Sequence, residues 1–493
     1  MNAEDQEESS IGTENSREDR PFGMTDKLAY ASGDFACSLS FTLAGTYFTL
    51  FYTQYLGVDS LIFAAILVIL RIWDAINDPI MGGLIDNSDP NKSGVYGGKF
   101  KRFIFIGSIG LIFSGALSFL PIPNASLWVK VTLCILTYLI WDISYTLANV
   151  PYGAIAAYIS ADPVERSQLS MWRLIGSGAA SLPISTFLPF LIYDESDNLI
   201  GARLFWIALV LGIVGFFAFQ LLIRGTVERV DQTDKMQTGE GQESGPARGK
   251  SSSKLNYVDA LKKFFSNRGA MGVTFAAVAY FLGIYGGATT TAVVFQSYFE
   301  MADISGIVGL VSYIPLLLMM PFIPKIVKKK GKKKTAEIGL AIGTVGGILM
   351  VVLPIPPNMT GIVILILCNF LIAIGVAFFM NVSYAMVSDS IDYTLWKTGE
   401  QRGGTIYSMH VFFRKATTGI GPSLVLILMV WLGYDESLGA AQTAETAFNM
   451  RYLMAGLNLF TVLVAYLCIK YIYDLDLETI AKMEADLGRE VDV

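Results

Sequence analysis

The sequence holds a single histidine, His410, among 493 residues. That scarcity effectively excludes the usual His-based zinc sites and Ser–His catalytic arrangements, which need at least one imidazole in a polar constellation. Four cysteines (Cys37, Cys134, Cys368 and Cys468) all lie inside apolar stretches, so no C-x-x-C metal pattern and no disulfide framework is written in the chain. Charge is scarce as well: 16% of residues are charged, against about 25% in soluble proteins, while 53% are hydrophobic. A soluble chain of this length could not hide that much apolar surface. The first 24 residues are acidic and polar, with no basic segment leading into an apolar core, so no cleavable signal peptide is expected. The net charge of −6 sums over tails, loops and apolar segments and names no partner. Basic runs such as the seven lysines of Lys325 to Lys334 sit at the ends of apolar stretches, where orientation in a membrane is a simpler role than nucleic-acid binding.

What is present is a series of apolar stretches, and a spanning helix needs about 20 mostly apolar residues. Such stretches are expected at 28–56, 61–85, 103–120, 127–155, 169–193 and 204–223. A polar Gly/Ser/Glu/Lys-rich segment follows, and then six more at 273–299, 304–327, 336–354, 362–386, 405–432 and 452–472. Residues 257–265 (YVDALKKFF) have amphipathic spacing suited to a membrane surface. The organisation reads as an acidic N-terminal tail (1–24), a six-helix half (25–224), a linker (225–256), a second six-helix half (257–473) and a C-terminal tail (474–493). Lys and Arg concentrate in the loops after spans 2, 6, 8 and 10, which places both termini and the linker in the cytoplasm. An all-α integral membrane protein with 12 transmembrane helices in two six-helix halves is similar to the major-facilitator fold, whose halves alternate access to a site near the midplane. Topology alone leaves a helical channel or a membrane enzyme open.

A charge in mid-span costs about 2.5–3.5 kcal/mol on insertion scales and defaults to a functional role. Eight are expected well inside the spans: Asp34, Arg71, Asp74, Asp78, Asp142, Arg173, Arg414 and Lys415. Asp74 and Asp78 stand at i,i+4, so both carboxylates leave one helical face about 5–6 Å apart at Cβ. Asn77, three residues after Asp74, adds an amide oxygen. Two like charges this close call for a cation between them, and hard oxygen ligands suit Na⁺ or, with the same carboxylates, H⁺. The bland alternative is that Arg71 neutralises the pair as a salt bridge. On span 4, Asp142, Thr146 and Asn149 follow i, i+4, i+7, a polar stripe aimed at a cavity or a partner helix. On span 11, Tyr407, His410 and Arg414 share a face, with Lys415 beside it; packing or substrate contact is favoured for His410 over proton coupling. The glycine-rich stretches 283–287 and 339–347 read as close helix packing, not phosphate loops.

RIWDAINDPIMG (71–82) followed by GGKFKRFI (97–104) resembles the glycoside-pentoside-hexuronide:cation symporters, the melibiose permease-like family of the major facilitators. The resemblance continues through KLAYASGDFA (27–36), YTLANVPYGAI (145–155) and SDSIDYTLWKTGEQRGGTIYS (388–408), and covers nearly all of the chain except the N-tail and linker. It implies a site for Na⁺, Li⁺ or H⁺ built from Asp74, Asn77, Asp78 and Thr146, with Asp74 and Asp78 holding the metal ion if coupling is to sodium. It also matches the family's span 5 arginine to Arg173 and its span 11 lysine to Lys415. On the sugar side the chain departs from the melibiose permease. Ser38 and Asn149 stand where that protein has aspartates, although Asp34 lies one turn before Ser38. Gly153 and Met380 stand where it has tryptophans. The NVPYG form looks more like the glucuronide, xyloside and other glycoside branches.

These readings combine into an expected function: symport of a sugar or glycoside with Na⁺ or H⁺, with no cofactor and no enzymatic turnover. The expected setting is a cell membrane, and the expected functional unit a monomer. Sugar contacts are expected from Asp34, Ser38, Asn149, Tyr152, Arg173, His410 and Lys415. Four acids and four bases, plus a bound cation, leave the interior one unit positive, which an anionic sugar such as a hexuronide would balance. Lys99, Lys101 and Arg102 are expected to meet Asp389 and Asp392 as a cytoplasmic gate. A lysophospholipid or other amphiphile carrier on the same fold is the alternative.

Overall fold

The computed structural model describes residues 20–86, 100–160, 162–229, 264–319, 321–398 and 403–486. The described secondary structure is helical apart from a single isolated bridge, Tyr193 with Leu199. The long elements are α1 (Met24–Leu50, continued by a π-helical turn Phe51–Tyr55), α2 (Ser60–Asp86), α3 (Lys101–Leu117), α4 (Leu127–Ile159), α5 (Pro163–Phe187) and α6 (Gly201–Gly225). They are followed by α7 (Arg268–Ser297), α8 (Ser305–Met319), α9 (Ile323–Val352), α10 (Met359–Thr398), α11 (Gly403–Trp431) and α12 (Ala444–Leu467, continued by a π-helical turn Cys468–Ile472). A short α13 (Leu477–Asp486) ends the described chain. Eight of these helices are long and apolar enough to cross a membrane: α1, α4, α6, α7, α9, α10, α11 and α12. Of the other four expected spans, α3 and α8 are short at 17 and 15 residues, and α2 and α5 carry the interior charges Arg71, Asp74, Asp78 and Arg173.

Two boundaries differ from expectation for physical reasons. The lysine run 325–334 is helical rather than a loop, and the direction change sits at Gly331, whose φ of +78° only glycine adopts without strain. Helix α10 continues past residue 386 to Thr398, because nothing in SDSIDYTLWKT breaks a helix when it leaves the apolar layer. Residues 257–263 of the amphipathic segment lie outside the described residues; its last two, Phe264 and Phe265, are helical.

The chain clusters into two compact units that are not contiguous in sequence. The first comprises Met1–Phe51, Ile72–Ser185 and Ile200–Gly245; the second comprises Tyr52–Arg71, Thr186–Leu199 and Pro246–Val493. In the first unit small residues let backbones approach. A Cβ on Gly107 of α3 would stand 2.7 Å from the Ala148 nitrogen of α4, and one on Gly176 of α5 would strike the Ala31 carbonyl of α1. Fully buried Asp26 closes one end of this unit, accepting from Arg20 at 2.8 Å and Arg229 at 3.0 Å. The Arg229 backbone N–H donates to Tyr158 at the end of α4, so the chain entering α1 and the chain leaving α6 are held together.

The second unit is packed on glycines as the sequence suggested. A Cβ on Gly283 of α7 would overlap Thr461 of α12, and one on Gly339 of α9 would overlap Phe378 of α10. On Gly347 it would meet the Leu459 Cα of α12 at 2.8 Å. Arg451, only 2% exposed, caps the end of α9 by donating to the Leu353 carbonyl at 2.7 Å and lies 4.3 Å from the Tyr452 ring centre. At one edge of this unit Gln54 donates to Gln296 and to the Tyr434 hydroxyl, both at 2.8 Å, and Glu436 caps the start of α2 at Ser60.

Candidate functional site

Helix α4 organises the first unit's polar interior, because its polar residues recur at helical spacing on an otherwise apolar rod. Tyr138 donates its hydroxyl to Asp74 Oδ2 of α2 at 3.1 Å. One turn on, Asp142 Oδ2 accepts from Asn77 Nδ2 at 2.8 Å, and the same nitrogen lies 3.3 Å from Thr146 Oγ. Asn77, Asp142 and Thr146 are all buried, at 1%, 7% and 2% exposure. The structure therefore brings together Asp74, Asn77 and Thr146 of the expected cation set. The side chain of Asp78 lies outside what is described. Sequence reasoning assigned no role to Asp142 and did not single out Tyr138. Extending the 142–146–149 stripe one turn backwards would have found Tyr138.

Beyond Thr146 the contacts of α4 pass to α1 and α5. Asn149 Oδ1 accepts from the Cys37 thiol at 3.8 Å. Tyr152 donates to the Tyr30 carbonyl at 2.9 Å, and its ring stands 4.8 Å from the Arg173 guanidinium. Arg173 of α5 pairs through Nε with Asp34 Oδ1 of α1 at 3.1 Å. Its side chain keeps 35% of its surface exposed, and that of Asp34 16%. A Cβ on Gly153 would stand 3.9 Å from Arg173 Nη1, an ordinary van der Waals distance. Ser38 bonds Ser177 of α5 at 2.8 Å. Asp34, Ser38, Asn149, Tyr152 and Arg173 thus line one α1–α4–α5 seam, and Tyr30, Cys37 and Ser177 are members that sequence reasoning missed. Ser177 stands one turn after Arg173, the one spacing that pointed to it.

In the second unit His410 is 4% exposed, and its Nδ1 is 3.0 Å from the Thr274 hydroxyl of α7. Arg414 bonds the Tyr384 hydroxyl and lies over the Phe281 ring at 5.5 Å. The expected shared face of span 11 is uneven: Tyr407 is 42% exposed while His410 is sealed in. Lys415 is exposed.

Of the expected gate, Lys99 lies outside the described residues. Lys101 donates to the Thr226 carbonyl at 2.9 Å, and Arg102 lies over the Phe103 ring at 4.8 Å. Asp389 takes an ion-pair partner that sequence reasoning did not assign, Lys332 of the lysine run, at 2.6 Å. Asp392 follows Asp389 on α10 and is half-buried. Among the described residues no three His, Cys, Asp or Glu side chains gather as a tightly held metal would need, and the cluster around Asn77 mixes carboxylates with neutral oxygens.

Residues 29–476 match a family model described as MFS/sugar transport protein, and the chain belongs to that family, the melibiose permease-like sugar transporters of the major facilitator superfamily. It is 27% identical to the isoprimeverose transporter of Lactiplantibacillus pentosus over 436 residues, covering 87% of this chain and 85% of that one. It is 24% identical to the glucuronide carrier protein homolog of Escherichia coli K12 over 450 residues, 90% of this chain and 91% of that one. The inward open xylose transporter XylE from E. coli superposes with a TM-score of 0.58 at 14% identity, covering 93% and 98%, which shows the shared fold. The protein is thus a multi-pass membrane transporter and not an enzyme.

Proposed function

We propose that this protein is a secondary active transporter that carries a sugar or glycoside together with Na⁺ or H⁺ by alternating access. In this reading twelve helices span a cell membrane, both termini are cytoplasmic, and a monomer suffices. Asp74, Asn77, Asp78 and Thr146 hold the cation, Li⁺ being a further candidate. Asp34, Ser38, Asn149, Tyr152 and Arg173 receive the sugar, with Lys415 as a further contributor, while His410, sealed against Thr274, serves packing. The observation that carries the reading is that both residue sets take members from one helix, α4, which contributes Thr146 to the first and Asn149 and Tyr152 to the second. Within α4, Asp142 and Thr146 meet α2, while Asn149 and Tyr152 meet α1 and α5. A cation that draws α2 toward α4 therefore acts on the same rigid element that lines the sugar seam. A half-loaded carrier leaves buried charge uncompensated, and that penalty disfavours its return.

The finer reading is an anionic sugar. Asp34 engages Arg173 through Nε, and the guanidinium side chain keeps 35% of its surface exposed, an arrangement suited to a carboxylate or sulfonate. The resemblance to a relative named glucuronide carrier protein homolog supports this choice, while that to one named isoprimeverose transporter supports a neutral glycoside. Lys99, Lys101 and Arg102 pair with Asp389 and Asp392 as a cytoplasmic gate when the carrier faces outward, with Lys332 competing for Asp389. Uptake into proteoliposomes tests the whole reading, using labelled glucuronide and labelled xyloside under an imposed Na⁺ or H⁺ gradient. Accumulation of the glucuronide is expected. Accumulation of the xyloside alone would reject the anionic substrate, and gradient-independent uptake of both would reject the coupling.

A further inference from the structure

We infer that Asp142 is the positioning residue of the cation site, holding the Asn77 amide so that its carbonyl oxygen serves an alkali-metal ion. The inference rests on the cation-site reading above and adds a residue that reading does not contain. Asp142 stands on α4 and Asn77 on α2, with Asp142 Oδ2 2.8 Å from Asn77 Nδ2 and both side chains buried. An ionised carboxylate only accepts hydrogen bonds, so the amide must present its nitrogen to Asp142. The second acceptor on that nitrogen, Thr146 Oγ at 3.3 Å, lies on the same helix, and the two together set the amide's direction. Oδ1, the other branch of the same planar group, is then turned away from Asp142.

Rotating the amide by half a turn would set its oxygen against the carboxylate and lose a charge-assisted bond in a buried place. This orientation is what a hard monovalent cation requires. Asn77 can ligate only through its oxygen, and an amide free to flip would offer nitrogen half the time. Asp142 also adds negative charge beside a site whose Asn and Thr ligands are neutral. Groups that orient ligands around metal ions typically govern affinity by roughly 10- to 100-fold. An aimed amide oxygen serves a metal ion and does nothing for a proton, so the arrangement selects Na⁺ or Li⁺ over H⁺ as the coupling ion.

The purified full-length protein tests this without any sugar. Its melting temperature is followed against NaCl and LiCl, with choline chloride holding ionic strength constant, for the wild type and for D74N, D142N and D142E. The wild type should show a saturable rise, and D74N none. D142N should melt near the wild type in choline chloride yet need roughly 10- to 100-fold more Na⁺ for half of the rise. D142E keeps the charge but moves the acceptor, and should need several-fold more. Unchanged half-saturation in D142N, with the response lost in D74N, overturns the role of Asp142 and leaves the cation site standing. A retained response in D74N instead overturns the site itself. A wild type that responds to neither Na⁺ nor Li⁺ rejects the metal-ion assignment and leaves proton coupling as the surviving reading. If D142N does not fold, D142E decides alone: unchanged half-saturation rejects the positioning role.

Discussion

The two units of this protein treat interior charge in opposite ways. In the first, each described charge of the interior meets a group of chemistry-bearing kind: Asp34 meets Arg173, Asp142 meets Asn77, and Asp74 meets the Tyr138 hydroxyl. Within the apolar stretches of the second, Arg414 rests on Phe281 and Tyr384, Arg451 on backbone carbonyls and Tyr452, and His410 on Thr274, while the ion pair of buried Asp389 with Lys332 lies past residue 386, beyond the apolar stretch of α10. Carboxylate–cation partners are exchangeable, because an arriving ion or anionic group can replace one of them. Aromatic faces and backbone carbonyls fixed by helix geometry are not exchanged so readily. On the proposed reading this makes the first unit the seat of the chemistry and the second its support, with glycine contacts closing α7, α9, α10 and α12 as others close α1, α3, α4 and α5.

The strongest way to break that contrast is Asp74→Cys. Removing one carboxylate of the cation set should abolish gradient-driven accumulation of sugar while the protein still inserts and folds. Intact uphill uptake, measured in vesicles under a Na⁺ or H⁺ gradient, would remove the first unit from the coupling step. Arg173→Ala comes next. It leaves Asp34 without its partner in a half-open seam, where breaking a buried pair costs 3–5 kcal/mol and an exposed one about 0–1 kcal/mol. With the guanidinium a third exposed, that stability cost falls toward the lower figure, while the lost charged hydrogen bond to the sugar, worth about 1.5–2 kcal/mol, weakens sugar affinity roughly 10- to 30-fold. Adding Asp34→Ala should change little further, because the two side chains act as one unit. Losses that simply add would show that the pair is not the functional element.

Much of this architecture is legible in the sequence, and the reasons for the remainder are specific. Apolar length locates the helices, and the cost of an interior charge locates Asp34, Asp74, Asp142 and Arg173 without any structure. Periodicity tells which face a residue occupies but not which helix lies opposite. The Asp142–Asn77 bond therefore remained open, as did the choice of Arg173 over another base for Asp34. Helix ends were read less well where polar sequence continues a helix beyond the apolar layer, as at the end of α10. The Lys332–Asp389 pair was hidden for the same reason, since a lysine run read as an orienting loop has no predicted neighbour.

The support role of the second unit can be sharpened through its glycines. Gly339→Ala places a Cβ inside the contact with Phe378 and forces α9 and α10 apart. Overpacking of this kind costs about 1–3 kcal/mol, so melting should fall by a few degrees with the Na⁺ half-saturation unchanged. Gly456→Ala on α12 meets nothing within 4 Å and should leave melting unchanged. A shifted cation response in the Gly339 variant would show that the two units are not separable in this way.

The smallest expected effect belongs to the residue that looks most chemical. His410 is the chain's one histidine, set one turn before Arg414 in a transporter proposed to move an ion, and proton coupling is the obvious role to test. Its surroundings argue otherwise. The ring is sealed at 4% exposure and Nδ1 is already engaged with Thr274, so a proton would have to reach it through packed helices. His410→Asn keeps a short hydrogen-bonding side chain facing Thr274, and a lost neutral bond costs only about 0.5–1.5 kcal/mol of stability. Uptake should therefore stay within about twofold of the wild type. The discriminating measurement is its pH profile, which should superimpose on the wild-type curve. A displaced or flattened profile would carry the chemistry into the second unit and dissolve the contrast between the two.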